Sequence, residues 1–89
     1  MVDVGKIKQG EWSYPVVEMF LGKRDVDATV AATTSDDQKC EAQFYGGEYN
    51  LLHKDNRRAD TWLKAAVESC PSGFIEFSGA TAELKRLGP

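Results

Sequence analysis

Two cysteines, one histidine and fourteen carboxylates are the side chains through which this 89-residue sequence could do chemistry, and their spacing supports little of it. Cys40 and Cys70 lack the Cys-x-x-Cys pairing or added histidines of a zinc site, and His53 stands alone, so neither a metal centre nor a Cys–His nucleophile pair has its residues. His53 lies at a predicted helix end beside Lys54 and Asp55, where an imidazole caps the dipole or lies in solvent. Asp25-x-Asp27 has the opening of a calcium loop, but Val30 stands where that loop needs glycine. Gly46-Gly47 and Ser78-Gly79 lack the strand-to-helix context and the Lys-Ser/Thr ending of phosphate loops and nucleophile elbows. Asp36-Asp37 opens a helix, where the macrodipole accounts for negative charge, and Glu41 and Glu48 fall on a solvated face. The expectation is a chain that is not an enzyme and uses no metal or cofactor.

Composition narrows the partner. With 42% apolar and 28% charged residues and three prolines, the sequence is that of a folded domain rather than a disordered tract. A formal charge of −3, with eleven Lys and Arg among fourteen acids, offers no basic face for nucleic acid. No run approaches the roughly 18–20 apolar residues of a membrane span, and Met1 to Lys6 contains no apolar signal core. The compartment is left open: cytoplasmic for the chain as given, periplasmic if it is part of a longer exported protein. One domain is expected over residues 12–89, after a flexible arm over 1–11.

The elements that would carry a site are helices. Trp12, Pro15, Val16, Met19 and Phe20 recur at helical spacing, predicting a helix over 13–22, capped by Ser13 and stopped by Gly22. Asp25 caps a second helix to about Thr33 with Val26, Val30 and Ala31 as its stripe, a strand being the alternative. Ser35-Asp36-Asp37-Gln38 has the form of a capping box and opens a long helix to His53 with Cys40, Phe44, Tyr45, Leu51 and Leu52 as its apolar positions. Asp55 caps a fourth helix, with Ala59, Trp62, Leu63, Ala66 and Cys70 in register up to Pro71. The last helix runs to about Leu87, with Phe74, Phe77, Ala80, Leu84 and Leu87 on one face and Gly88 ending it. The fold class expected is all-α: antiparallel helical hairpins stacked as a short array of about five helices.

A repeat underlies the hairpins. Gly47 is followed by Ala59, Leu63, Ala66 and Pro71 at steps of twelve, four, three and five. Small residues let two helices approach, Leu63 fills between them and the proline closes the unit. Thirty-four residues beyond Gln43, Gly46, Gly47 and Asn50 stand Phe77, Ala80, Thr81 and Leu84. This pattern resembles the tetratricopeptide repeat, a helix–turn–helix with a period of about 34 residues. The combined pattern, from Trp12-x-x-Pro-Val-Val through Cys40-Glu-Ala-x-Phe-Tyr to Ala82-Glu-Leu-Lys-Arg-Leu, is similar to the C-terminal portion of bacterial tetratricopeptide-repeat proteins. A full repeat spans about 40–73 and a partial one 74–88. Gln43, Gly46 and Asn50 depart from the aromatic, leucine and tyrosine usual at those slots, while Phe44 and Tyr49 lie one residue away, which predicts a helix rotated slightly against its neighbours.

The resemblance implies a non-catalytic protein-interaction scaffold whose groove is lined by the first helix of each unit: here Glu41, Phe44, Tyr45, Glu48, Leu51 and Leu52, followed by Phe77 and Thr81. Some of these must belong to the core. Family members that clamp a terminal carboxylate use lysine and asparagine on this face. Glu41 and Glu48 stand there instead, so the expected partner is a basic or apolar protein or peptide segment. A solenoid normally needs about three units, so a homo-oligomer that completes the array is the alternative. A small-ligand or enzymatic pocket between the first hairpin and the Phe44/Tyr45 helix is the less favoured rival.

Cys40 opens the third helix and Cys70 ends the fourth, so an antiparallel hairpin sets them at one level. A disulfide requires Cα atoms within about 7 Å, and two buried thiols are the favoured reading over a bond. Gly46 and Gly47 together cost a helix roughly 2 kcal/mol relative to alanines, so a close helix approach is expected to offset them.

Overall fold

The computed structural model describes Trp12 and residues 14–87. The expected arm over 1–11, the Ser13 cap and the Gly88 stop lie outside the described residues. The described residues form five helices: α1 (Tyr14–Phe20), α2 (Val26–Ala31), α3 (Asp36–Leu52), α4 (Asn56–Ser69) and α5 (Ile75–Leu87). The fold is all-α, and no strand is present among the described residues.

Local chemistry sets the boundaries. Gly22, at φ +80°, follows α1 in the left-handed region where a side chain would be strained. Asp25 caps α2 by accepting from the Ala28 amide, so the strand alternative falls, and the helix ends two residues before the predicted limit. Its inward residues are Val26 and Thr29. Ala31 is exposed, because six residues give only one inward-facing pair. Ser35 accepts from the Gln38 amide at the start of α3, but the Gln38 carboxamide accepts from the Thr34 amide and hydroxyl, so the returning arm of the predicted box reaches one residue further back. Asp55 accepts from the Arg58 amide and caps α4. Lys54, at φ 60°, turns the chain between α3 and α4.

α3 is the wall shared by two apolar clusters. On one flank Cys40, Ala59, Leu63, Ala66, Cys70 and Ala80 are buried, with Phe44, Leu51, Phe74, Phe77, Leu84 and Leu87 packed around them. On the other, Val16, Met19 and Val26 gather Trp12, Tyr45, Tyr49 and Trp62. The predicted inner faces of α4 and α5 are correct. That of α3 needs correction. Its buried residues are Cys40, Ala42, Gln43, Gly46, Gly47 and Asn50, whereas Leu52 is 70% exposed. Gln43, Gly46, Gly47 and Asn50, the residues from which the 34-residue spacing is counted, thus form its inner stripe.

The reason is steric. A Cβ on Gly46 would lie 2.5 Å from Val26 Cγ1 of α2, and one on Gly47 would lie 2.6 Å from Leu63 Cγ of α4. Helices close in on α3 from two sides, and large apolar side chains on its inner stripe would hold them apart.

Cys40 and Cys70 are joined in a disulfide, with Cα atoms 4.8 Å apart, so the favoured reading of two buried thiols is corrected. The pairing follows from the tight α3–α4 approach, which brings the two Cα atoms inside the reach of a bond. Pro71 follows at an exposed position just beyond α4.

Candidate functional site

With its inner stripe committed to packing, α3 presents the opposite stripe outward. Positions 41, 45, 48 and 52 recur at steps of four, three and four, which puts Glu41, Tyr45, Glu48 and Leu52 on one helical face. α1 and α5 each contact α3, and the surface of this stripe between them is the groove face. From α1, the edge of Phe20 meets Tyr45 and Tyr49 at ring-centroid distances of 6.4 and 6.0 Å. Tyr45 also meets Phe44 edge-on at 5.2 Å, and His53 stacks on Tyr49 at 4.1 Å. An aromatic run thus crosses the groove, in geometries that the ring quadrupoles favour.

The six groove residues expected from sequence divide here. Tyr45, Glu48 and Leu52 face the groove. Glu41 does too, but its carboxylate accepts from the Trp12 indole N–H at 2.6 Å, so it holds the entering chain onto α3 rather than standing free. Phe44 and Leu51 turn to the α4–α5 side and pack on the core, Phe44 so closely that a Cβ on Gly79 of α5 would lie 2.8 Å from its ring. Of the two residues expected to follow in α5, Phe77 packs on the core and Thr81 is half-buried, its hydroxyl donating to the Phe77 carbonyl. Among the repeat-packing residues, Gly47, Ala59, Leu63, Ala66 and Ala80 are buried, and Leu84 packs beside them.

The groove is acidic. Burial raises the Tyr45 phenol above its ordinary value, and the Glu76, Glu41 and Glu48 carboxylates push it further the same way. Burial likewise raises Glu48, Glu83 on the facing helix adds to that by like-charge repulsion, and Arg86 works against both. Between the C-terminal halves of α3 and α5 lies a pocket of about 390 Å³ lined by Glu48, Leu51, Leu52, Glu83, Arg86 and Leu87. Glu83 and Arg86 are not among the site residues expected from sequence, because helical spacing within α5 does not show which residues of α3 lie opposite. The only sequence signal is the spacing: Arg86 stands thirty-four residues beyond the expected groove residue Leu52.

His53 ends α3, with Nδ1 2.9 Å from the Tyr49 carbonyl. Asp36 and Asp37 sit exposed in the first turn of α3. Among the described residues no three His, Cys, Asp or Glu side chains converge as metal ligands. No helix among them is long and apolar enough to cross a membrane. No protein-family model matches the chain, and no solved structure is significantly similar to it.

Proposed function

We propose that this chain is a non-catalytic protein-interaction module of the helical-hairpin repeat type, holding a peptide or protein segment in the groove over α3. One observation carries the reading: α3 is packed along the Gln43, Gly46, Gly47 and Asn50 stripe, yet its opposite stripe presents Tyr45, Glu48 and Leu52 with no helix among the described residues laid across them. An aromatic ring and a leucine give apolar contact, and the carboxylates around them select a basic segment over an acidic one. The tetratricopeptide-like register is supported by the coincidence of its slots with buried residues of α3 and α4, and with Ala80 of α5.

Selection from a random-peptide display library on the immobilised, disulfide-bonded chain tests the reading, with amide NMR shifts locating the bound peptides. Enriched peptides should move the resonances of Tyr45, Glu48, Tyr49 and Leu52. Shifts confined to other surfaces, or no enrichment, would overturn it.

Completion of the array by a second copy is the second reading, favoured by Ile75, which opens α5 at 84% exposure. Light scattering at two concentrations separates the two: a mass that doubles with concentration supports self-assembly, and a constant monomer mass removes it.

A further inference from the structure

The pocket between α3 and α5 adds a specific demand to that groove. Glu83 is held in it with its side chain 16% exposed, while its ion-pair partner Arg86, three residues on and 2.7 Å away, is 77% exposed. Both line the pocket, the carboxylate largely covered and the guanidinium open to solvent. Glu48 approaches the same space from α3, so among the described residues that line it two carboxylates face one cation, an excess of one negative charge. Leu51 and Leu87 line the interior, and the exposed Leu52 forms the rim.

This combination favours one kind of occupant. A carboxylate-bearing side chain would be repelled, and a purely apolar one would desolvate Glu48 and Glu83 without replacing their water. A cationic side chain with an apolar neighbour would neutralise the excess charge and cover the leucines together. Arg86 is already a cation of that kind, tethered by its own helix. An exposed ion pair at this spacing is weak and salt-screened, so it yields readily to a better-placed competitor.

We propose that the Glu48–Glu83 pocket receives an arginine or lysine side chain flanked by an apolar residue of the bound segment, and that Arg86 holds its place in the free protein. The proposal rests on the groove reading above and deepens it by naming the recognised chemistry. Arg86 is thereby a gate on affinity: the incoming cation must displace it, and removing it exposes the acid pair to the partner.

The test titrates the disulfide-bonded chain with acetyl-Ala-Leu-Arg-Leu-Ala-amide, and with the same peptide carrying citrulline, which keeps the shape of arginine and loses its charge. The arginine peptide should move the amides of Glu48, Leu52, Glu83 and Leu87 and bind about three- to fivefold more tightly than the citrulline peptide, a margin typical of a partly exposed ion pair. Arg86→Gln should tighten the arginine peptide and leave the citrulline peptide unchanged. Glu83→Gln should abolish the preference, and Glu48→Gln serves in its place if that variant does not fold. Equal binding of the two peptides, weaker arginine binding by Arg86→Gln, or no binding of the arginine peptide at millimolar concentration would each overturn the pocket assignment. Display-selected peptides that still mapped to the Tyr45 stripe would leave the groove reading standing, so the two failures are distinct.

Discussion

Gly47 faces Leu63 across the α3–α4 seam at a separation that leaves room for hydrogen alone: a Cβ there would lie 2.6 Å from Leu63 Cγ and 2.7 Å from Cδ2. Leu63 is fully buried and has nowhere to withdraw. Alanine at position 47 would gain about 1 kcal/mol of helix propensity, but overpacking of a closed core costs about 1–3 kcal/mol. Gly47→Ala should therefore be neutral to destabilising and Gly47→Leu clearly destabilising, lowering the midpoint of thermal unfolding by several degrees or more. Gly73, which has no heavy atom within 4 Å of an added Cβ, is the control, and Gly73→Ala should leave the midpoint unchanged or slightly raised. A Gly47→Leu melt equal to the parent would refute the close approach.

The Cys40–Cys70 bond closes a stretch of sequence separation 30 and joins the start of α3 to the end of α4. A cross-link of this span typically contributes about 2–4 kcal/mol, chiefly by restricting the unfolded chain. Reduction, or the double change Cys40→Ala and Cys70→Ala, should lower the unfolding midpoint substantially. Denatured, unreduced protein should titrate with no free thiol, and two titratable thiols would show the bond to be absent.

Gln43 and Asn50 lie on the buried stripe of α3, and Gln43 Oε1 and Asn50 Nδ2 have no hydrogen-bond partner among the described residues. A buried polar atom left unpaired costs about 1–3 kcal/mol. Gln43→Met keeps the length of the side chain and removes the carboxamide, so it should raise the midpoint by a few degrees. A fall on substitution would mean that the carboxamide is satisfied by ordered water, which high-resolution crystallography would reveal.

Glu48 carries the pH dependence. Burial and Glu83 raise its folded pKa above the unfolded value, with Arg86 opposing. Its protonated form is thus favoured on folding. The stabilisation is complete below the ordinary glutamate range and is lost as pH rises through the raised value. Glu48→Gln should match the parent midpoint near pH 3.5 and exceed it modestly at pH 7, the effect being small because the side chain is only partly buried. A deficit at pH 7 would reverse the sign of the charge balance and refute the prediction.

Helix formation was legible in the sequence wherever apolar residues did the packing. Ala59, Leu63 and Ala66 in α4, and Phe74, Phe77, Ala80, Leu84 and Leu87 in α5, recur at the helical period and lie on the faces that the period predicts. α3 defeated the same reasoning. Its inner stripe is Gln43, Gly46, Gly47 and Asn50, which reads as polar and flexible, while the aromatic residues that look like core occupy its flanks and outer face. Periodicity registers hydrophobicity, whereas a helix enclosed by others selects for small volume. The spacing of Gly47, Ala59, Leu63 and Ala66 registers volume as well, and all four residues are buried.

By itself the sequence determined the number of helices, the caps at Asp25, Ser35 and Asp55, and the small residues over which helices can meet, because each depends on chemistry within a few residues of chain. Only the tertiary structure decided that Cys40 and Cys70 are bonded, that Glu41 is engaged by Trp12, and that Glu48 and Glu83 share one pocket with Arg86. Each of those outcomes turns on a few ångströms between residues far apart in sequence. Such distances are set by how closely α1, α4 and α5 pack onto α3, a property of the assembled core that no local pattern contains.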